Sequence, residues 1–345
     1  MRLRVSAGTA AMLGLRGGGG KDAPTTGYLM IGDQCPRNCA FCAQARGSLA
    51  GSGRLSRVTW PEYELADVLP ALVAACRQGL LLRLCVQTVA GEDASRQLAE
   101  LVPLLCDLAG VPVSASVYIR DLQSLEALLA SGLQRVGLAL DAATGDIYAQ
   151  TKGGSFEAAR ELLARAAEAY PGRVSTHLIA GLGETERDLL TQLQWCLDRG
   201  ILVGLFAFTP VPGTALEARR APDLSSFRRL QAAAHLLRLG ERRAEQLVFD
   251  AGGELAGMGQ GMSAERLAEL LGDGAAFRTS GCPGCNRPYY NERPGKVPYN
   301  YARPLGVAEA REAVGLVIGL AGQDAAANAR PRNPEDEIRV ERPPR

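Results

Sequence analysis

The chain places three cysteines within eight residues, in Cys35-Pro-Arg-Asn-Cys39-Ala-Phe-Cys42. The C-x3-C-x2-C spacing puts three thiolates on one loop, with no histidine or fourth cysteine beside them. A structural zinc site is closed by four ligands, typically on paired C-x2–4-C arms. Three thiolates instead suit a 4Fe–4S cluster whose fourth iron is left open. A second group, Cys282-Pro-Gly-Cys285, offers two ligands for an auxiliary cluster. The less favoured readings are a redox-active dithiol and half of a zinc site shared with a partner. Nine cysteines crowded this way in 345 residues do not resemble the disulfide framework of a small secreted domain. They point to metal or redox chemistry in a reducing, cytoplasmic compartment.

Such chemistry needs a scaffold that aims a loop into a sheltered chamber. The composition, 47% hydrophobic and 22% charged, supports a sizeable core without covalent staples. Lys and Arg (38) almost cancel Asp and Glu (37), so the charge calls for neither nucleic acid nor a membrane surface. No stretch reaches the roughly 18 uninterrupted apolar residues of a membrane span. Met1–Leu15 sets Arg2 and Arg4 before a mildly apolar run but shows no small-x-small cleavage site, so residues 1–25 read as an N-terminal extension.

From residue 26 to residue 281, apolar runs alternate with stretches of 3.6-residue periodicity. The runs are Gly27–Gly32, Leu81–Val89, Val111–Tyr118, Arg135–Asp141, Arg173–Ala180, Leu202–Thr209, Gln246–Asp250 and Ala275–Ser280. Helices are expected at Leu122–Ala130, Glu184–Leu197 and Ser225–Leu239. Eight strand–helix units predict an α/β fold of the (β/α)8 TIM-barrel kind, with an open doubly wound sheet as the alternative. A Cys-containing loop and short helix (282–320) and a disordered tail (321–345) follow.

Strand parity defines the interior. Arg83, Cys85 and Gln87 share one face, as do Ser114 and Ser116, Arg135 and Asp141, and Ser175, His177 and Ile179. The opposite faces are apolar and belong under helices. The polar faces therefore line a binding chamber, and the cysteine loop leaves the first strand at the barrel end where active sites form.

The segment Gly32-Asp-Gln-Cys-Pro-Arg-Asn-Cys-Ala-Phe-Cys-Ala-Gln44 resembles the signature of the radical S-adenosylmethionine (radical SAM) superfamily, within its biotin-synthase-like group. The resemblance implies that Cys35, Cys39 and Cys42 hold the cluster and that S-adenosylmethionine chelates its open iron. One-electron reduction then releases methionine and a 5′-deoxyadenosyl radical, which abstracts hydrogen from an unactivated carbon. It further implies that Phe41 contacts the adenine and that Asp141 accepts from ribose hydroxyls. His177-Leu-Ile179-Ala-Gly181-Leu-Gly-Glu184 is similar to a G-x-I-x-G-x-x-E adenine motif, with His177 in place of the first glycine. Gly181–Glu184 also reads as a plain strand-to-helix turn, with Glu184 favouring the helix N-terminus. Gln87, on the inward face, joins this cofactor-binding set.

The biotin synthase sulfur cluster uses three cysteines and an arginine, which align with Cys85, Ser114, Ser175 and the neighbourhood of Val248. Three of the four are missing, which argues against biotin synthesis. The C-terminal block, together with Phe206-Ala-Phe-Thr-Pro-Val-Pro-Gly213, is similar to the paired, two-protein lipoyl synthases. That resemblance implies sulfur insertion into a protein-bound octanoyl chain, with Cys282, Cys285 and Cys85 as ligands of a sacrificial auxiliary 4Fe–4S cluster. Implied partners are an octanoylated lipoyl-carrier protein, a second related radical SAM protein, and ferredoxin or flavodoxin as reductant. Phe206 and Phe208 pack on the acyl chain if they face inward; Arg83, Arg135 and Arg278 are candidates for carboxylate contacts. The alternatives are a radical enzyme acting on a small molecule or in metallocofactor assembly, and a non-catalytic iron–sulfur or zinc-binding partner.

Overall fold

The computed structural model describes residues 1–321 apart from 19, 34 and 292–294. Beyond its first residue, the expected tail lies outside the described residues. In chain order the elements begin with β1 (Arg2–Val5), α1 (Ala7–Met12), β2 (Thr26–Ile31) and a hairpin of β3 (Arg54–Leu55) and β4 (Val58–Thr59). There follow β5 (Glu62–Glu64), α2 (Leu65–Arg77), β6 (Arg83–Thr88), α3 (Glu92–Ala109), β7 (Val113–Val117) and α4 (Leu122–Ala130). Next come β8 (Arg135–Leu138), α5 (Gly145–Thr151), α6 (Phe156–Ala169), β9 (Val174–Ala180), α7 (Glu186–Leu197), β10 (Leu202–Ala207) and α8 (Leu224–Leu239). The last are β11 (Val248–Phe249), β12 (Leu255–Gly257), α9 (Ala264–Leu271) and α10 (Val307–Gly315).

The main sheet has the order β5-β1-β2-β6-β7-β8-β9-β10. Strands β2 to β10 in that order run parallel, giving the expected α/β fold, while β1 lies antiparallel to β2 and β5. Its outer face is apolar because helices cover it: Leu84, Val86, Val136 and Leu178 are wholly buried. Each such side chain contributes about 1.5–3 kcal/mol. On β9, Val174, Thr176, Leu178 and Ala180 are buried, while Ser175, His177 and Ile179 keep some accessible surface on the inner face. Helix α7 starts two residues later than its periodicity suggested, because Thr185 and Asp188 form a reciprocal capping box.

Six of the eight expected parallel strands occupy the ladder. The run 246–250 is one arm of the β11–β12 hairpin, folded back where Asp250 Oδ1 accepts from Gly252 and Glu254 N–H. The run 275–280 begins as a 3-10 turn, Ala275–Phe277, opened by Asp273 accepting from Ala275 N–H. Phe277 is apolar there because it is a wholly buried core residue.

Residues 280–291 occupy the remaining gap instead. Ser280 Oγ accepts from Leu205 N–H (2.9 Å) and Asn291 Nδ2 donates to Ala207 O (2.7 Å), satisfying the free edge of β10. The same loop reaches the start of β2, where Asn286 Oδ1 accepts from Thr25 N–H (2.9 Å). The parallel sheet therefore curves around this loop.

Residues 1–25 are more than the expected extension. Leu3 and Val5 on β1 are buried in the main core, and Thr9 and Ala10 of α1 are fully enclosed. Short length and a Gly-rich follow-on hid this strand from a periodicity reading. Among the described residues, no helix is long and apolar enough to cross a membrane.

Candidate functional site

The cysteine loop leaves β2 at Gly32, where φ is +88° and a Cβ would stand 2.8 Å from Val89 O. Glycine alone fits that turn. The buried Arg4 of β1 then ties the loop together, donating to Gln44 Oε1 (3.1 Å) and to the carbonyls of Ser52 and Gly32. Gln44 Nε2 in turn donates to Ser52 O at 2.7 Å. At the far side, Ala40 N–H donates to Thr151 O (2.7 Å), and Arg37 donates to Lys152 O and Gly153 O (3.0 Å each). Backbone carbonyls and amides, met in part by Arg4 and Arg37, thus hold the loop from both ends, and Arg37 also reaches the Cys39 thiol.

Cys35, Cys39 and Cys42 all line one cavity of about 520 Å³ at the C-terminal ends of the parallel strands. Phe41, Gln87, Asp141, His177 and Ile179 line it too, as do Phe206 and Phe208, which settles their inward orientation. Gly181 and Glu184 do not. Glu184 Oε1 accepts from Gly181 N–H (3.1 Å) and Leu182 N–H (3.4 Å), so this pair forms the turn between β9 and α7. Burial raises the Cys39 thiol, and it pushes Cys42 up to about 12. Cys39 and Cys42, raised in this way, carry thiolate charge only beside a cation, which an iron cluster would supply. Among the described residues, no three His, Cys, Asp or Glu side chains converge as a single metal ion requires. A four-iron cubane is wider than one ion and takes ligands spread along a loop, so this donor set fits it.

Asp141 sits beyond β8 at φ +66° and pairs with Lys152 Nζ at 2.8 Å, with both side chains about nine-tenths buried. Burial alone would lower the Lys152 ammonium, but Asp141 overrides it and holds the group above its ordinary value. His177 is deep, and burial followed by the Arg287 charge lowers it to about 3, so it is neutral at pH 7. Its Nε2 lies 3.4 Å from Arg287 Nη2. A guanidinium only donates, so Nε2 accepts and the ring proton resides on Nδ1.

The other cysteine group lies deeper, toward the N-terminal strand ends. Cys85 on β6 stands opposite Tyr28 of β2 in the ladder. Burial pushes its thiol up to about 12, with Cys282 and Cys285 acting in the same direction and Arg287 against it. Gln87 Nε2 donates to Cys85 Sγ at 3.1 Å. Tyr28 Oη accepts from the Arg287 backbone N–H (3.2 Å) and shares a hydrogen bond with Cys285 Sγ (3.1 Å), in which either group can donate. Burial would lower the Arg287 guanidinium, but Cys285, Tyr28 and Cys85 hold it charged; it lies over the Phe206 ring at 4.6 Å. Its Nη1 has no hydrogen-bond partner among the described residues.

The expected carboxylate-binding arginines do other work. Arg83 Nη1 donates to Pro283 O (2.9 Å) and its Nη2 to Ser114 Oγ, pinning the C-terminal loop. Arg135 donates to Gly172 O, while Arg278 is an exposed residue whose backbone forms a β-bridge with Tyr301. Conversely, Arg287, Tyr28, Lys152 and Arg4 escaped the sequence reading. Lys152 had one available signal, being one of three lysines in an arginine-rich chain.

Known proteins agree with this geometry at the level of the domain. The family model described as the Radical SAM superfamily matches residues 29–196. Among solved structures, the chain is similar in fold to the FeFe-hydrogenase maturase HydG from Carboxydothermus hydrogenoformans. There the identity is 15% and the TM-score 0.50, over 62% of this chain and 51% of that one. Methylornithine synthase (PylB) shows 18% identity and a TM-score of 0.47, over 63% of each chain. Coproporphyrinogen III oxidase from Escherichia coli shows 17% identity and a TM-score of 0.39, over 62% of this chain and 50% of that one. The chain thus spans about half the length of HydG. No curated protein matched. The stretch that matches the Radical SAM superfamily, residues 29–196, is the one that carries the three-cysteine loop and much of the chamber wall.

Proposed function

We propose that the chain is a radical SAM enzyme that replaces a C–H hydrogen with sulfur in a protein-bound octanoyl chain, as in lipoyl assembly. The observation that carries the reading is the pairing of two cysteine groups around one interior. Cys35, Cys39 and Cys42 line the chamber, while Cys85, Cys282 and Cys285 gather beneath it beside the charged Arg287. Cys85 lies deep in the protein, and Cys282 and Cys285 keep part of their surface accessible.

The upper trio would hold the 4Fe–4S cluster that binds S-adenosylmethionine, and the lower trio an auxiliary cluster. When bound and reduced by one electron, the first cluster and its sulfonium cofactor supply a 5′-deoxyadenosyl radical for hydrogen abstraction. The residues of this chain provide binding, orientation and dryness. Asp141, held by Lys152, presents a carboxylate to the cofactor. His177 stays neutral and offers its Nδ1 proton without adding charge. Phe206 and Phe208 keep water from the chamber wall. Tyr28 hydrogen-bonds the Cys285 sulfur and orients it. Ferredoxin or flavodoxin suits the low-potential electron, and a second related radical SAM protein suits the two-carbon division of labour.

The test is an anaerobic assay on a peptide carrying octanoyl-lysine, read by mass spectrometry with and without a paired radical SAM protein. A sulfur gain that needs this chain and its Cys282–Cys285 pair supports the reading. 5′-Deoxyadenosine formed with no sulfur gain under either condition overturns the sulfur step.

A further inference from the structure

We infer that the chamber has a second, apolar arm that binds an unbranched acyl chain along Tyr28, Met30, Leu55, Val58 and Trp60. These side chains stand apart from the main core. Tyr28, Met30, Trp60 and Val89 form a buried cluster of their own, with Leu55 and Val58 packed against it. β2 supplies Tyr28 and Met30, and the β3–β4 hairpin contributes Leu55 and Val58. Cys35 packs on this cluster just beyond the C-terminal end of β2. Cys85, the ladder partner of Tyr28, packs on its deeper part together with Cys285. A chain lying along it therefore runs from one cysteine group to the other.

The arm also leads outward. Gly8, Pro24, Val58 and Pro288 line both the chamber and a neighbouring cavity of about 680 Å³, whose other walls include Met12 of α1 and Tyr289. None of the five arm residues carries a charge, and only the Tyr28 end has a charged neighbour, Arg287, so an ionic ligand along Met30, Leu55, Val58 and Trp60 would find no counter-charge from them. One polar group is left over: Trp60 is 3% exposed, and its Nε1–H has no acceptor among the described residues. The Tyr28 hydroxyl is already committed to Arg287 N–H and Cys285 Sγ. The matching ligand is a straight methylene chain with one carbonyl oxygen, the acyl part of an amide or thioester. That its length is eight carbons rests on the proposed sulfur insertion; the arm itself rests on the geometry.

The chain has two tryptophans, and Trp195 sits on α7 between the guanidinium groups of Arg160 and Arg199, each 4.3 Å from its ring. In Trp195→Phe protein reconstituted with iron and sulfide, emission reports on Trp60 alone. Titration with an Nε-octanoyl-lysine peptide shifts that emission saturably, and the matching acetyl-lysine peptide does not. By calorimetry, Val58→Arg weakens octanoyl-peptide binding at least about tenfold, and Trp60→Phe weakens it about two- to tenfold through the lost hydrogen bond. Leu55→Gln, expected to weaken binding at least about threefold, serves if Val58→Arg does not fold. Equal responses to the two peptides, no response to the octanoyl peptide, or unweakened binding by the folded variants overturns the proposal. Selective binding without sulfur gain supports the arm and removes the sulfur-insertion reading. Sulfur gain by Val58→Arg at unchanged KM removes the arm and leaves that reading standing.

Discussion

The two cysteine groups are held in opposite ways. Cys35, Cys39 and Cys42 ride on a loop fastened by backbone bonds and by Arg4, with their thiols turned to an open chamber. Cys85, Cys282 and Cys285 instead meet from elements almost 200 residues apart, among Tyr28, Gln87 and Arg287. The first arrangement suits a cofactor that arrives and leaves through an opening. The second is assembled from several elements beside the Arg287 charge, as the proposed auxiliary cluster would require. Local spacing builds one site; tertiary contact builds the other.

Four substitutions break or sharpen this contrast. Cys42→Ala strips the upper loop of a ligand and abolishes 5′-deoxyadenosine formation, a loss of at least about a thousandfold by chromatography of anaerobic assays. Arg287→Met removes the charge facing Cys85, Cys285 and Tyr28. Sulfur incorporation then falls at least about tenfold, while cofactor cleavage without substrate persists. Arg4→Met unties the upper loop and leaves the carbonyls of Gly32 and Ser52 unmet. Denaturant unfolding is expected to show a loss of about 3 kcal/mol. His177→Gln acts least, and through pH. The folded pKa of His177, about 3, lies below its unfolded value, so the unfolded chain takes up the proton first as pH falls below about 6.5. This contribution to stability is complete above that pH and shrinks on the way down to the folded value. Between pH 6.5 and 5, wild type should lose about 2 kcal/mol more than His177→Gln, measured by urea unfolding at each pH.

Much of the scaffold was readable from the amino acids because burial on one side forces a pattern. Leu84 and Val86 must be apolar beneath helices, which leaves Cys85 and Gln87 facing inward, and β9 repeats the rule around His177. The C-x3-C-x2-C loop was readable because its geometry is local. The runs at 246–250 and 275–280 were not, since a few apolar residues fit a hairpin or a buried 3-10 turn as well as a barrel strand. Arg287 and Tyr28 escaped notice because their meaning lies in contacts to residues more than a hundred positions away, such as His177 and Cys285. Glu184, similar to an adenine contact by motif, caps its own turn instead of lining the chamber.

The most direct test of the two-group account is iron and sulfide content after anaerobic reconstitution, with 5′-deoxyadenosine measured on the same samples. The account predicts about eight irons per wild-type chain, falling to about four in a Cys282→Ala/Cys285→Ala double variant that still forms 5′-deoxyadenosine. Cys35→Ala/Cys42→Ala should keep about four irons and form none. A wild-type chain that binds only about four irons, unchanged in the Cys282→Ala/Cys285→Ala variant, would contradict it.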